Sequence, residues 1–230
     1  MSLSTRSKWL TITTFLLLAI ALAALLPKYQ AQANEPFVEG EHYQIIKDPV
    51  RTARPGEIEV TEVFWYGCGH CNSFRPVFEQ WEKDLPEGVY TRHSPAVWRK
   101  NMETHAAVFY AAEALGIQKK IHKNMFDAMH IRKQRLEKTS EIYPLFREQG
   151  ISEKDFYNAF NSFGVKSKVQ QAISRARGYG ISGTPEIIVN GKYRISSSMA
   201  GSHGQMLKVA EHLIAKEKAT KTTTEEIEQS

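Results

Sequence analysis

The chain has 230 residues, of which 42% are hydrophobic, 24% charged and 10% aromatic. This is the composition of a soluble globular protein with enough chain for one well-buried domain or a domain carrying an insertion. The net charge of +5 overstates its basicity, because Arg6, Lys8 and Lys28 fall in an N-terminal stretch without any acid; the near-neutral remainder, with no basic tract interleaved with aromatics, excludes a nucleic-acid binder.

In chain order, residues 1–33 read as an export signal. Arg6 and Lys8 form a basic start, Trp9 to Pro27 is uncharged and rich in Leu and Ala, and Ala31-Gln32-Ala33 is a small-residue cleavage site that would leave Asn34 as the new N-terminus. An uncleaved inner-membrane anchor is the alternative. Either reading sends the rest of the chain out of the cytosol.

Residues 34–101 carry the first β-α-β pattern. Glu57 to Tyr66 is a β-branched and aromatic run that predicts a buried strand, ended by Gly67. Cys68-Gly69-His70-Cys71 follows at once. Asn72 to Lys83 then places Phe74, Val77, Phe78 and Trp81 at helical spacing, with Pro76 early enough to kink that helix. Leu85-Pro86-Glu87-Gly88 is turn-like, and Val89 to Val97 predicts a second strand.

Residues 102–177 read as an inserted helical block. One helix ends at Gly116, Gln118 to His130 is the next, Ser140 opens another that ends at Gly150, Ser152 and Asp155 resemble a capping box, and Ser167 to Arg177 is the last. Residues 178–217 return to β: Glu186 to Val189, the hairpin turn Asn190-Gly191, Lys192 to Ile195, and a closing helix from Gly204 to Lys216. Residues 218–230 are polar and read as a disordered tail. An early and a late β region most simply share one sheet, which gives an α/β, thioredoxin-like fold with a large helical insertion.

The only two cysteines, Cys68 and Cys71, are three positions apart. A disulfide closing so short a loop contributes about 2 kcal/mol, too little to explain it as a staple in a chain of this size. Disulfide exchange needs an exposed thiolate and a nearby thiol to resolve the mixed disulfide. A C-x-x-C pair at a helix start supplies both: Cys68 at the positive end of the dipole, Cys71 one turn inside, and His70 between them adding positive charge. A zinc half-site lacks a second C-x-x-C, haem attachment needs His where Asn72 stands, and a silent structural disulfide stays open.

Thr184-Pro185 precedes a strand directly. It reads either as an ordinary turn or as a cis-proline whose preceding residues, Gly183 and Thr184, meet an extended substrate. Glu62 lies on the strand that feeds the cysteines, either exposed at an edge or buried as a proton acceptor beneath Cys71. His42, His93, His105, His122, His130, His203 and His212 read as surface or half-buried residues without metal-like clustering, and no metal or cofactor is expected.

At this point the sequence resembles the periplasmic DsbA family. The resemblance rests on VTEVFWYGCGHC, LPEGV, NSFGVKS and GTPEIIVNGKYRI and covers nearly all the chain after the first segment. It implies a periplasmic oxidant of reduced, unfolded exported proteins, reoxidised by a DsbB-like quinone-linked membrane partner and working as a monomer. By position it implies that Cys68 is the nucleophile, Cys71 the resolving cysteine, His70 the tuning histidine, Glu62 the buried acid and Pro185 the cis-proline. Gly69 replaces the family's usual Pro, and Thr184 stands where many members have Val; both imply a weaker oxidant than typical members. A disulfide isomerase or reductase is the alternative, although residues 34–57 leave too little room for the N-terminal dimerisation domain such proteins add. A thioredoxin-like binding or chaperone module is the alternative outside enzymes.

Overall fold

A computed structural model describes residues 36–228, with side chains to residue 221. The expected export signal and its cleavage site lie outside the described residues. The β-rich segments form one sheet of five strands: β1 (Gln44–Ile45), β2 (Ile58–Phe64), β3 (Val89–Pro95), β4 (Glu186–Val189) and β5 (Tyr193–Ser196), in the order β1-β5-β4-β2-β3. β2 runs parallel to β3 and antiparallel to β4, and every one of its residues is buried, the polar Glu59, Thr61 and Glu62 included. The early and late β regions therefore do share one sheet.

Side chains alternate across a strand. Glu62 consequently shares a face with Phe64 and with its register partners His93 and Ile187, while Glu59, Thr61 and Val63 share the other. On the Glu62 face lies α1 (Gly69–Trp81), whose Phe78 ring sits 5.6 Å from that of His93. Pro76 lies inside α1.

Between β3 and β4 the chain makes α2 (Lys100–Ala114), α3 (Gln118–Phe126), a π-helical turn over Asp127–Ile131, α4 (Thr139–Arg147), α5 (Glu153–Phe160) and α6 (Phe163–Gly178). This is the expected helical insertion. Its core of Phe109, Ile121, Met125, Phe126, Phe146 and Phe156 is continuous with Phe64 and Tyr66 at the end of β2. Each such side chain contributes about 1.5–3 kcal/mol on burial, so the insertion is bonded to the strand that leads to the cysteines. Gly116 and Gly150 end helices at φ +72° and +81°, and the Ser152 hydroxyl accepts from the Asp155 N–H at 3.1 Å, all as expected. α6 starts earlier than the apolar spacing indicated, because Ser162 caps it by accepting from the Val165 N–H at 3.2 Å.

After β5 come α7 (Ser197–Ala200) and α8 (His203–Glu228), which packs on α1, β2, β4 and β5. The reading of residues 218–230 as a disordered tail is corrected: α8 continues to Glu228. The segment is polar, yet Lys, Ala and Glu are helix formers. Lys218 Nζ donates to the Glu87 carbonyl at 2.8 Å and Lys221 Nζ to that of Gly56 at 2.9 Å, tying the extension to loops of the sheet. The hairpin turn is as expected, with Asn190 and Gly191 both left-handed at φ 50° and 66°. Gly191 is required twice over, since a Cβ there would overlap the Val50 carbonyl oxygen. Among the described residues no helix is long and apolar enough to cross a membrane.

Candidate active site

After β2 the chain turns through Trp65, Tyr66 and Gly67. A Cβ on Gly67 would collide with the Trp65 ring, so glycine lets that ring fold back, where its Nε1–H donates to His105 Nδ1 at 3.1 Å. Cys68 is then the N-cap of α1. Its backbone is extended at φ −89° and ψ 116°, and its Sγ accepts from the Cys71 N–H at 3.4 Å. Ser, Thr, Asp or Asn usually supply this acceptor. Here a sulfur does, at the positive end of the helix dipole, where negative charge is favoured. The pair is in its dithiol form, with Cys68 half-buried and Cys71 fully buried.

The two thiols are driven apart in acidity. Cys68 is lowered from 9.0 to about 5. The hydrogen bond with the Cys71 side chain does most of this, against the effect of burial, and a hydrogen bond from the Thr184 side chain and the backbone N–H groups of Cys71 and His70 add to it. Cys71 is pushed far up by burial, then by its hydrogen bond to Cys68, the Cys68 charge and the Glu62 charge. One sulfur is therefore a thiolate near neutral pH and its neighbour holds its proton. The exposed His70 ring lies 6.4 Å from that of His203, and what His70 gives the sulfur is its backbone N–H.

Glu62 is buried, at 2% exposure, and Oε2 meets His93 Nδ1 at 2.7 Å. Burial alone would lower the His93 pKa, but the Glu62 hydrogen bond and charge outweigh it and raise it. Behind this pair lies His122, with ring centroids 5.2 Å apart, and its Nδ1 is 3.2 Å from the Tyr66 hydroxyl. Burial and the nearby His93 hold His122 well below its ordinary pKa, so it is a neutral imidazole paired with the Tyr66 hydroxyl.

Donor atoms of Glu62, His93 and His122 thus lie within 4.8 Å of one another, which corrects the reading of scattered histidines. His105 and His122 are buried rather than at the surface. The spacing is metal-like, but hydrogen bonds already satisfy these donors, Glu62 with His93 and His122 with Tyr66.

The Thr184–Pro185 bond is cis and Pro185 is buried. The loop reaches the dithiol: the Thr184 carbonyl lies 3.1 Å from Cys68 Sγ. The fold thus brings Cys68, Cys71, Thr184 and Pro185 together and sets Glu62 behind Cys71, with the His70 side chain exposed. The Gly183 N–H donates to Glu186 Oε1 at 3.0 Å. Glu186 is the residue the sequence reading passed over. Its signal was present, as the one charged side chain in the otherwise apolar strand EIIV directly after Thr184-Pro185.

The DSBA-like thioredoxin domain matches residues 86–213, a stretch that begins after the dithiol. The chain is 37% identical over 201 residues to the thiol:disulfide interchange protein DsbA of Pseudomonas syringae pv. tomato, covering 87% of this chain and 94% of that protein. It is 39% identical over 180 residues to the DsbA of Azotobacter vinelandii, covering 78% and 84% respectively. The crystal structure of Pseudomonas aeruginosa DsbA superposes with a TM-score of 0.78 at 33% identity, over 82% of this chain and 98% of that one. A CxxC pair at a helix N-terminus, one acidic and one protonated thiol and a facing cis-proline loop are what dithiol exchange requires. With that geometry and these relatives, the chain belongs to the DsbA family of thiol:disulfide oxidoreductases.

Proposed function

We propose that the protein is a periplasmic oxidant, donating the Cys68–Cys71 disulfide to reduced, unfolded exported proteins. The observation that carries this reading is the asymmetry of the pair: a half-buried Cys68 titrating at about 5 beside a buried Cys71 that keeps its proton. A stabilised thiolate favours the reduced enzyme, so its disulfide gives up its oxidising equivalents readily.

A client thiolate attacks Cys68 Sγ of the disulfide, and the Cys68–Cys71 bond breaks with Cys71 leaving. Cys71 takes up a proton, for which Glu62 and His93 form the adjoining buried relay. A second client thiolate then attacks the client's own sulfur in the mixed disulfide and expels Cys68 as thiolate. The client loses two electrons and gains a disulfide; the enzyme gains them and is left as the dithiol. Reoxidation falls to a DsbB-like membrane quinone reductase. The Thr184 backbone and Pro185 border the exchanging sulfur on the client side. The protein acts as a monomer without a cofactor, released from or anchored by residues 1–33.

The test is covalent trapping. In Cys71→Ser, Cys68 still attacks a disulfide-bonded client, but the mixed disulfide has no resolving thiol and accumulates. Cys68→Ser should give none. Equal trapping by both variants would contradict the assignment.

A further inference from the structure

Glu186 opens β4 immediately after cis-Pro185, and its side chain is 2% exposed. A carboxylate at the start of a buried strand is costly unless it is engaged. This one turns back over the loop that precedes it. Oε1 accepts from the Ser182 N–H at 3.1 Å, the Ser182 hydroxyl at 3.2 Å and the Gly183 N–H at 3.0 Å. Oε2 makes no hydrogen bond and lies 3.8 Å from Arg194 Nε. Arg194 in turn donates to the Gly180 carbonyl and to Gln44 Oε1 on β1. The pair therefore grips the segment from Gly180 to Gly183 at both ends.

The next residue, Thr184, is the one that touches the reacting sulfur. Its carbonyl lies 3.1 Å from Cys68 Sγ. Nothing covalent fixes that distance, because Cys68 and Thr184 belong to chain segments more than a hundred residues apart. A loop whose N–H groups are left to water moves, and misplacement by about 1 Å at a reacting centre costs on the order of a hundredfold in rate. Three bonds to one buried oxygen remove that freedom.

Resting on the exchange reading above, we infer that Glu186 is a positioning residue for that chemistry: its carboxylate oxygen holds the Ser182–Gly183 turn and so sets Thr184 against Cys68. The action is through an acceptor at a fixed place and not through charge, since Glu186 is absent from the groups that shift Cys68.

Two variants separate place from charge. Glu186→Gln keeps an oxygen at the same reach and removes the charge; Glu186→Asp keeps the charge and withdraws the oxygen by one methylene. Both should be measured in the full chain for thiolate absorbance against pH and for the single-turnover rate with a dithiol peptide. Glu186→Gln is expected to stay within about twofold of the parent, while Glu186→Asp slows exchange by about tenfold and displaces the Cys68 titration from that of the parent. A cooperative unfolding transition in each variant shows that the fold is retained. If Glu186→Asp matches the parent, or if Glu186→Gln is the more damaged, the inference is overturned. Ser182→Ala, which removes one of the three donors, should lie between parent and Glu186→Asp; an unchanged titration and rate there would also count against it. A parent protein with no acidic Cys68 titration would instead refute the exchange reading.

Discussion

Glu62 Oε2 and His93 Nδ1 meet at 2.7 Å behind the buried Cys71, on adjacent parallel strands. The His93 hydrogen bond makes a carboxylate tolerable at 2% exposure, and the same partner reaches toward solvent, since the His93 side chain is 20% exposed. The pair can therefore carry a proton between the surface and the region of Cys71. Glu62→Gln should slow formation of the mixed disulfide, the step in which Cys71 leaves and takes up a proton, by about tenfold or more at pH 7, since general acid–base help is lost. It should leave the Cys68 titration in place, because Glu62 does not contribute there. Stopped-flow mixing with a dithiol peptide, with quenched samples to count mixed disulfides, separates the two steps. His93→Ala should be harsher on stability, by about 3 kcal/mol in urea unfolding, because it strands a buried carboxylate.

Reduced and oxidised forms should differ in how their stability depends on pH. Cys68 titrates at about 5 in the fold, against an ordinary value of 9.0. A depressed folded pKa stabilises the reduced fold above the unfolded pKa, and that stabilisation is lost as pH falls through the folded value. The full shift would contribute about 3 kcal/mol at pH 7, and solvent at a half-buried sulfur reduces it. The short disulfide loop offsets about 2 kcal/mol. The two are close at pH 7, so the sign of the slope is the sharper test. Urea unfolding should show the reduced form gaining on the oxidised form from pH 5 up to about 8.5. A gap independent of pH would contradict an acidic Cys68.

Gly69 is the first residue of α1, and a Cβ there would meet nothing within 4 Å. The sulfur receives backbone N–H groups from Cys71 and His70, not from Gly69. Proline suits the first helical position, where its missing N–H has no helical partner. Gly69→Pro should therefore stabilise both redox forms by about 0.5–1 kcal/mol through the unfolded chain and leave the Cys68 titration near its present place. Thermal unfolding and thiolate absorbance check the two halves. Thr184, the other departure from the family pattern, contributes a side-chain hydrogen bond that lowers the Cys68 pKa.

What was legible in the sequence was local. The Glu57–Tyr66 run, the Cys68–Cys71 spacing, Thr184-Pro185 and Asn190-Gly191 each carry their structure within a few residues. β1 was not legible, because two residues set no period and Gln44 and Ile45 pair only once β5 exists. The Glu62–His93–His122 network was not legible either. Its members are 31 and 29 residues apart in succession, and only the β2–β3 register and the packing of α3 bring them together. The end of α8 was misread because polarity was taken for disorder; the grip of Lys218 and Lys221 on Glu87 and Gly56 needs the folded loops. Glu186 fell between these cases, since its position was visible but its turn back onto Ser182 and Gly183 was not.

On the proposed function, the Cys68–Cys71 disulfide is an oxidant because Cys68 is stabilised as thiolate. The equilibrium of the pair with reduced and oxidised glutathione at pH 7, read by separating the alkylated forms, tests it most directly. A pair more oxidising than glutathione, staying largely reduced in an equimolar buffer and shifting toward disulfide as pH falls toward 5, is the expected result. A pair that stays largely as disulfide in that buffer would contradict the account and favour the reductase reading.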